Sequence, residues 1–326
     1  MASDRFKAVD RHATAFCPRL HKVYRRQRRS LIVLPCREVL MPLWKLTLSY
    51  DGTSFYGWQI QPDLRTVQGT LAAAIRHITG ETVLPQGSGR TDAGVHALGQ
   101  VASFSSGCPI PAANLHRALN RMLPGSVRVL EVQAVEPPFH ARHSAVRKTY
   151  EYRIFPSAMQ PHDGRRPEQK SPSEQQSSFT SSGRICSPML APYVWDCPLP
   201  LDLQTLNRAA SHILGRHDFT SFAATGLDLP EAIPADPLPG YSSPPAPCRT
   251  IDRSAWTQEG GLLVYRVTGS GFLHHMVRNL VGTFVQAGAG RLDADAVPRI
   301  LAARNRAAAG PTAPARGLFL VDVEYS

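Results

Sequence analysis

The sequence has little of the chemistry that marks secreted, zinc-binding or membrane proteins. Its six cysteines, at positions 17, 36, 108, 186, 197 and 248, include no Cys-x-x-Cys pair. This spacing disfavours both a zinc ribbon and a disulfide-stabilised secreted domain. No apolar run approaches the roughly 20 residues needed to cross a bilayer. We therefore expect a soluble, cytoplasmic protein with reduced thiols.

Acidic residues are also scarce relative to basic ones. The 326 residues include 25 Asp and Glu against 36 Lys and Arg, which gives a net charge of +11. A charge of this size and sign indicates an anionic partner, such as nucleic acid or a membrane surface. The excess is uneven, because residues 1–40 hold ten basic and three acidic side chains.

Residues 1–40 allow three interpretations. They fit a basic RNA-binding arm, an Arg-rich organellar presequence, or a segment upstream of a true translation start at Met41. We expect this segment to be a disordered extension, and no function is assigned to it.

Hydrophobic periodicity predicts an α+β protein with mainly antiparallel sheets. Strands are expected at 43–50, near Val83, and at 100–104, 127–134, 149–155, 262–267 and 318–325, and helices at 66–79, 112–122, 203–214, 272–286 and 294–304. The length and this order favour two sheet-and-helix domains, 41–149 and 150–326. Residues 156–190 and 226–248, rich in Pro and poor in large apolar groups, are expected to be flexible insertions in the second domain.

The most unusual local sequence is the glycine-rich segment 87–97, GSGRTDAGVHA. Asp92 is its one acid, and no other acid occurs between Glu81 and Glu131, so paired-carboxylate hydrolysis has no local partner. Asp92 can therefore be a nucleophile, a base or a salt-bridge member. The simpler alternative is a glycine-rich turn closed by an Asx-type hydrogen bond.

Histidine spacing gives weak support for a metal site. Asp92 and His96 are four residues apart, His140 and His143 three apart, and His274 and His275 adjacent. Adjacent side chains on the predicted 272–286 helix would diverge, so we expect no metal. In the same helix Arg278 lies among apolar residues, where an arginine is costly to bury without a partner, and Asp92 is a candidate for that partner.

Seven segments of the sequence together resemble the tRNA pseudouridine synthase A family. In chain order they are residues 51–59 (DGTSFYGWQ), 89–96 (GRTDAGVH), 139–142 (FHAR), 150–153 (YEYR), 219–222 (FTSF), 272–279 (FLHHMVRN) and 317–320 (GLFL). The resemblance runs from about residue 43 to the C-terminus and leaves out the basic head and the two insertions.

This resemblance implies the pseudouridine synthase fold with a cleft between two domains, and isomerisation of uridine to pseudouridine at positions 38, 39 and 40 in the anticodon stem-loop of tRNA. It implies no metal or organic cofactor, and a homodimer that binds tRNA across both subunits. Asp92 matches the family's catalytic aspartate, Arg90 the arginine beside it, and Arg278 the arginine that pairs with the carboxylate. Tyr150 matches the active-site tyrosine and Leu318 the apolar residue that lines the base pocket.

Two alternatives to this enzyme remain open from the sequence. The first is a catalytically inactive RNA-binding protein on the same scaffold. Taken without the resemblance, Tyr150 is interpreted as a packed strand aromatic. The second is a metal hydrolase that uses Asp92, His140 and His143, which would lose activity on chelation.

Overall fold

A computed structural model describes residues 41–156, 184–224 and 247–326. The predicted head 1–40, most of the insertion 156–190 and nearly all of the insertion 226–248 lie outside these ranges. The described residues form a mixed α+β structure built on one large, mostly antiparallel sheet, which confirms the predicted fold class. No helix in these three ranges is both long and apolar enough to cross a membrane.

The sheet contains ten strands, eight of which form a continuous path in the order β4-β1-β3-β10-β5-β9-β8-β7. Two short strands lie off this path, with β2 on β3 and β6 parallel to β5. The strands are β1 Leu43–Tyr50, β2 Gln86–Gly87, β3 His96–Ser105, β4 Val127–Val135, β5 Ala145–Pro156, β6 Trp195–Cys197, β7 Gly215–Asp218, β8 Cys248–Glu259, β9 Leu262–Gly269 and β10 Leu318–Tyr325.

Within the described ranges, five α-helices accompany the sheet: α1 Val67–Thr79, α2 Ala112–Met122, α3 Leu203–Ser211, α4 Met276–Gly288 and α5 Val297–Ala303. Helix α2 packs on β4 and on α1, whereas α3 packs on β8 and on α4. One hydrophobic cluster runs through both groups of helices and the strands between them.

Local sequence explains why several elements begin and end where they do. In β1 the alternating pattern buries Leu46 and Leu48 completely, and each stabilises the fold by about 2 kcal/mol relative to exposure. At the start of α1 the Thr66 hydroxyl accepts a hydrogen bond from the Gly69 amide at 3.3 Å, a cap that contributes about 1 kcal/mol. The helix ends at Gly80, whose φ of 76° is the left-handed conformation that glycine tolerates.

Several predicted boundaries are confirmed and others are wrong. The structure has β1, α2 and β10 as predicted, but the strand expected near Val83 forms three residues later at Gln86–Gly87. The helix expected from 272 begins only at Met276, because His275 before it has a left-handed φ of 61° that interrupts helical geometry. Helix α3 ends at Ser211 instead of 214, and the helix expected at 294–304 is a 3-10 turn followed by Val297–Ala303.

Strand β5 passes through the predicted domain boundary at 149–150. It pairs with β10 on one side and β9 on the other, both antiparallel. The division into domains 41–149 and 150–326 stays a prediction, and the part of the chain described here carries a continuous sheet across it.

Candidate active site

Asp92 lies in the loop between β2 and β3, referred to below as the Asp92 loop (residues 87–95). Backbone hydrogen bonds tie this loop to the segment after β1: the Trp58 amide donates to the Thr91 carbonyl at 3.0 Å, and the Gly94 amide to the Phe55 carbonyl at 3.2 Å. The approach at Gly57 is so close that a Cβ there would lie 2.6 Å from the Thr91 oxygen. Glycine is therefore required at 57, and residues 51–59 act as the support of the Asp92 loop.

The opposite side of the Asp92 loop is held by buried polar side chains. Ser88 donates its hydroxyl to Gln100 at 2.7 Å, and the Gln100 amide group donates to the Gly89 carbonyl at 2.9 Å. Tyr50 and Thr91 share a hydrogen bond of 2.9 Å between their hydroxyls. With both edges fixed, the loop presents Asp92 on a rigid backbone, which is what a reacting carboxylate needs.

Arg278, on the first turns of α4, contacts Asp92 directly. Its Nη1 lies 2.7 Å from Asp92 Oδ2, and its Nε donates to the Ala313 carbonyl at 2.8 Å. Only 15% of the Arg278 side chain and 18% of the Asp92 side chain are exposed. The hydrogen bond to the Ala313 carbonyl fixes the orientation of the guanidinium group, so that its positive charge faces the Asp92 carboxylate.

His274 and His275 also face Asp92, contrary to the expectation that these neighbours diverge. The distances are 3.3 Å from His274 Nε2 to Oδ1 and 3.3 Å from His275 Nε2 to Oδ2. They converge because both precede helix α4, and the left-handed backbone at His275 turns its ring alongside that of His274, with ring centroids 4.0 Å apart. Adjacent residues of a continuous helix point in different directions, so the helix predicted from residue 272 did not predict this convergence.

These neighbours decide the ionisation state of Asp92. Burial acts to raise the pKa of the carboxyl group, but hydrogen bonds from His274 and Arg278, together with the charges of His275 and Arg278, outweigh it. The net result is a pKa below the usual value for aspartate. Asp92 is therefore ionised at neutral pH, although most of its surface is withdrawn from water.

Asp92, His274 and His275 are also the group of potential metal ligands found in the described ranges, with ligand atoms within 4.8 Å of one another. The proposed set of Asp92, His140 and His143 is not brought together. His140 instead accepts hydrogen bonds from the amides of Arg142 and His143, at 3.0 and 3.3 Å. The guanidinium of Arg278 at Asp92 would oppose a cation bound to that carboxylate.

His96 is likewise directed away from Asp92. It is buried, its ring stacks on Phe319 at a centroid distance of 4.7 Å, and its Nδ1 lies 3.2 Å from the Asp51 carboxylate. The spacing of four residues from Asp92 thus reflects a structural histidine and not a shared ligand site.

An open cleft of about 930 Å³ surrounds Asp92. Its walls include all five residues that the resemblance singled out: Arg90, Asp92, Tyr150, Arg278 and Leu318. A cavity of about 560 Å³ lies elsewhere, along residues 220–224 and 304–311. The cleft with Asp92 is the better candidate because it holds an enclosed ionised carboxylate with convergent donors.

Tyr150 and Leu318 form the apolar part of this cleft. Tyr150, on β5, is 8% exposed, and its ring meets that of Phe272 edge-on at a centroid distance of 5.0 Å. Burial raises the pKa of the Tyr150 hydroxyl, so that it is a neutral phenol at physiological pH. Leu318 begins β10, one strand away from Tyr150, and is 6% exposed.

The cleft is strongly cationic. Asp92 is the one acid among its described lining residues, against four arginine or lysine side chains: Arg90, Arg142, Lys148 and Arg278. Arg90 is exposed on the wall, two residues before Asp92. The sequence interpretation missed Lys148, which lies one residue before the predicted strand 149–155. In the structure it belongs to β5, where its position two residues before Tyr150 places both side chains on one face.

Comparisons with known proteins agree with this arrangement. A family model described as tRNA pseudouridine synthase matches residues 47–144 and 209–326. Proteins named tRNA pseudouridine synthase A are similar over most of the chain. The one from Moorella thermoacetica is 41% identical over 287 residues, covering 87% of this chain and all of the relative. The one from Solibacter usitatus is 44% identical over 282 residues, covering 86% and 98%.

The matched ranges contain the Asp92 loop and helix α4, and they leave out residues 145–208, which include the first insertion. Fold, cleft and sequence similarity point in one direction: the chain belongs to the tRNA pseudouridine synthase family.

Proposed function

We propose that this enzyme isomerises uridine to pseudouridine at positions 38, 39 and 40 in the anticodon stem-loop of tRNA, with Asp92 as the nucleophile. Isomerisation of uridine in tRNA follows from family membership. The observation that best supports the role of Asp92 is its environment: it is an enclosed carboxylate kept ionised by Arg278 and the two histidines, at the centre of a cationic cleft.

The reaction needs a nucleophile but no net redox change. A carboxylate oxygen of Asp92 attacks either uracil C6 or ribose C1′, and the bond between C1′ and N1 breaks. The base then turns so that C5 bonds to C1′, C5 loses its proton, N1 gains one, and the bond to Asp92 breaks. Both attack routes need an ionised carboxylate, and a low pKa supplies it at neutral pH.

Arg278 and the aromatic wall have complementary roles in this proposal. Arg278 fixes the orientation of the carboxylate through Asp92 Oδ2 and leaves Oδ1 nearer to His274. Tyr150 and Leu318 supply the surface on which an extruded base packs, with stacking worth about 1–3 kcal/mol. A neutral phenol cannot itself take a proton from C5, so the raised pKa of Tyr150 favours stacking over a role as free base.

The target nucleotide lies in or beside a stem and must leave the base stack before Asp92 can reach it, at a cost of a few kcal/mol. Arg90 is placed to compensate for this cost, because it is exposed on the cleft wall two residues from the nucleophile. We propose that it fills the vacated space or contacts the adjacent phosphate.

The decisive experiment maps pseudouridine in tRNA from cells that lack the gene and from the same cells complemented with variants. Wild type should restore modification at positions 38–40, and Asp92→Asn should not. Asp252→Asn is a matched control, because it removes an exposed carboxylate paired with Arg147 outside the cleft, and it should restore modification fully. Restoration by Asp92→Asn would mean that Asp92 is not the nucleophile, and modification that persists in cells lacking the gene would support a role for the protein in RNA binding alone.

Two finer features are proposed on the resemblance. We propose a homodimer in which one tRNA contacts both subunits, and a cytoplasmic location, where tRNA substrates are found. Light scattering at micromolar concentration should give twice the chain mass of 35.7 kDa, and a monomer that is fully active at nanomolar concentration would rule the dimer out.

A further inference from the structure

Lys148 is a half-buried cation in the Asp92 cleft, and none of its contacts with the described residues balances its charge. It lies on β5, two residues before Tyr150, and its Nζ donates to the Ser88 carbonyl at 2.6 Å. The ammonium comes so close to the Asp92 loop that a Cβ at Gly89 would lie 3.2 Å from Nζ. A lysine ammonium has three donors, and the described residues provide one acceptor for them.

The charged neighbours of Lys148 have its own sign. Burial lowers the pKa of Lys148 most, and the positive charges of Arg142 and Arg249 lower it further, to about 8. No carboxylate of the described ranges forms an ion pair with Lys148 at 4.0 Å or less. A half-buried ammonium group that lacks a counter-charge, as Lys148 does among the described residues, destabilises the free protein, and an anion bound beside it removes that cost.

The position of these cations in the Asp92 cleft indicates which anion they bind. Lys148 and Arg142 line the same cleft as Asp92. A nucleotide that enters the cleft to reach Asp92 carries its phosphodiester with it. Phosphodiesters are the anions that lysine and arginine neutralise in nucleic-acid complexes.

We propose that Lys148 and Arg142 form a subsite for a backbone phosphate of the RNA next to the target nucleotide. This subsite rests on the proposed function and adds to it the anchor that would hold the extruded nucleotide in the cleft. It differs from a purely structural role, in which Lys148 would serve only to hold the Ser88 carbonyl and thereby the Asp92 loop.

The two roles predict different losses in Lys148→Met. With a phosphate subsite, KM and Kd for tRNA rise about tenfold while kcat at saturating tRNA stays within about threefold, and the slope of log Kd against log salt falls by about one. With a role in loop support alone, kcat falls and the salt slope is unchanged. Lys148→Arg should restore the slope, because it keeps the charge.

Lys45→Met provides a matched control. Lys45 lies on β1 outside the cleft, with its ammonium 4.9 Å from the centre of the Tyr325 ring. Its loss removes the same unit of charge and should leave the salt slope within error of wild type. The melting temperature of each variant shows whether it folds. If Lys148→Met does not fold, the comparison of Lys148→Arg with wild type in the pH experiment below still tests the proposal.

The pH dependence of binding gives a second readout. Lys148 is charged below its pKa of about 8, so tRNA affinity should be highest below pH 8 and fall as the pH rises through 8 to 9. The charged groups that act on it are Arg142 and Arg249, and the neighbouring Tyr150 stays neutral over this range, since burial raises the pKa of that phenol. Lys148→Arg should abolish the decline.

Binding is measured by titration of unmodified tRNA into the enzyme, so it does not depend on turnover. If wild type neither binds nor modifies tRNA, the proposed function fails. If wild type does both but Lys148→Met keeps the wild-type salt slope, or Lys148→Arg keeps the decline with pH, the phosphate subsite is wrong and the proposed function stands.

Discussion

Asp92 and Glu151 are both enclosed carboxylates with arginine partners, yet their surroundings differ in charge balance. Glu151, 7% exposed, accepts from Arg153 Nε and Arg266 Nε, both at 2.7 Å, and Arg266 also pairs with Glu259 at 2.6 Å. Two acids and two arginines therefore neutralise one another on that face of the sheet. Asp92 is alone among four cationic side chains of the cleft.

The two clusters are separated by a single step along β5. Tyr150 faces the cleft, and Glu151, the next residue, faces the opposite side of the strand, because side chains alternate in β-structure. A balanced network needs nothing more and serves to hold strands together. A cluster with excess positive charge can bind an anionic substrate, and this difference distinguishes a functional ion cluster from a structural one.

The largest effect should come from Asp92→Asn, which removes the charge and keeps the shape. We expect kcat to fall on the order of 10⁴-fold, because loss of a nucleophile removes the reaction path itself. The measurement is the rate of hydrogen release from C5 in tRNA labelled there with tritium. A rate within tenfold of wild type would place the nucleophile elsewhere.

The next largest effect should come from Arg278→Met. We expect kcat/KM to fall about 10²- to 10³-fold, the range seen when one charged donor is removed from a reacting group. The variant should also change the pH profile. Arg278 lowers the pKa of Asp92 against the effect of burial, so its loss lets that pKa rise.

The acid limb of the kcat/KM profile tests this sign. Asp92 must be ionised, so activity disappears as the pH falls through the pKa of its carboxyl group, and the limb of Arg278→Met should lie at higher pH than that of wild type. Arg278→Lys keeps the positive charge but lacks the planar guanidinium group, so its acid limb should lie between those of wild type and Arg278→Met. An unchanged limb would mean that Arg278 does not control the ionisation of Asp92.

Glu151→Gln should affect stability and leave catalysis nearly intact. The amide keeps one acceptor oxygen and presents an NH2 group in place of the other, so one of Arg153 and Arg266 loses its acceptor, but both arginines are about 30% exposed, at 28% and 31%. Water therefore screens the loss, and we expect about 1–3 kcal/mol lower stability. Calorimetry should show a lower melting temperature than that of wild type. At temperatures well below the melting transition, kcat should stay within about threefold of the wild-type value. A loss of activity without a loss of stability would erase the contrast between the two carboxylates.

Much of the fold follows from local sequence patterns, and the exceptions have a physical cause. Strand β1 and helix α2 were predictable because each has one clear period, two or 3.6, and a boundary residue. Helix α4 was predicted to begin four residues too early because Phe272 continues the apolar spacing of Met276 and Leu280, although the backbone there is not helical. Periodicity reports which face is buried and does not report a left-handed residue such as His275.

The site shows the same limit. Asp92 and Arg278 were singled out by their motifs, but their contact joins positions 186 residues apart, which no local pattern can establish. The same holds for the parallel pairing of β10 with β3, which joins the two parts of the sheet. Lys148 could have been found, since it shares a strand face with Tyr150, whereas the convergence of His274 and His275 depended on the backbone between Gly271 and Met276.

The smallest effect should come from chelation, and it tests whether the Asp92 cluster works through charge or through a metal. Asp92, His274 and His275 offer three ligand atoms, but Arg278 already occupies Oδ2 at 2.7 Å with a fixed positive charge. A divalent ion there would meet that charge at close range and lose much of its binding energy. We therefore expect prolonged EDTA dialysis to leave kcat within about twofold, with the same pH profile. Loss of activity that returns on addition of a divalent ion would mean that the two histidines act as metal ligands and that the Asp92 cluster works through a bound metal and not through its own charges alone.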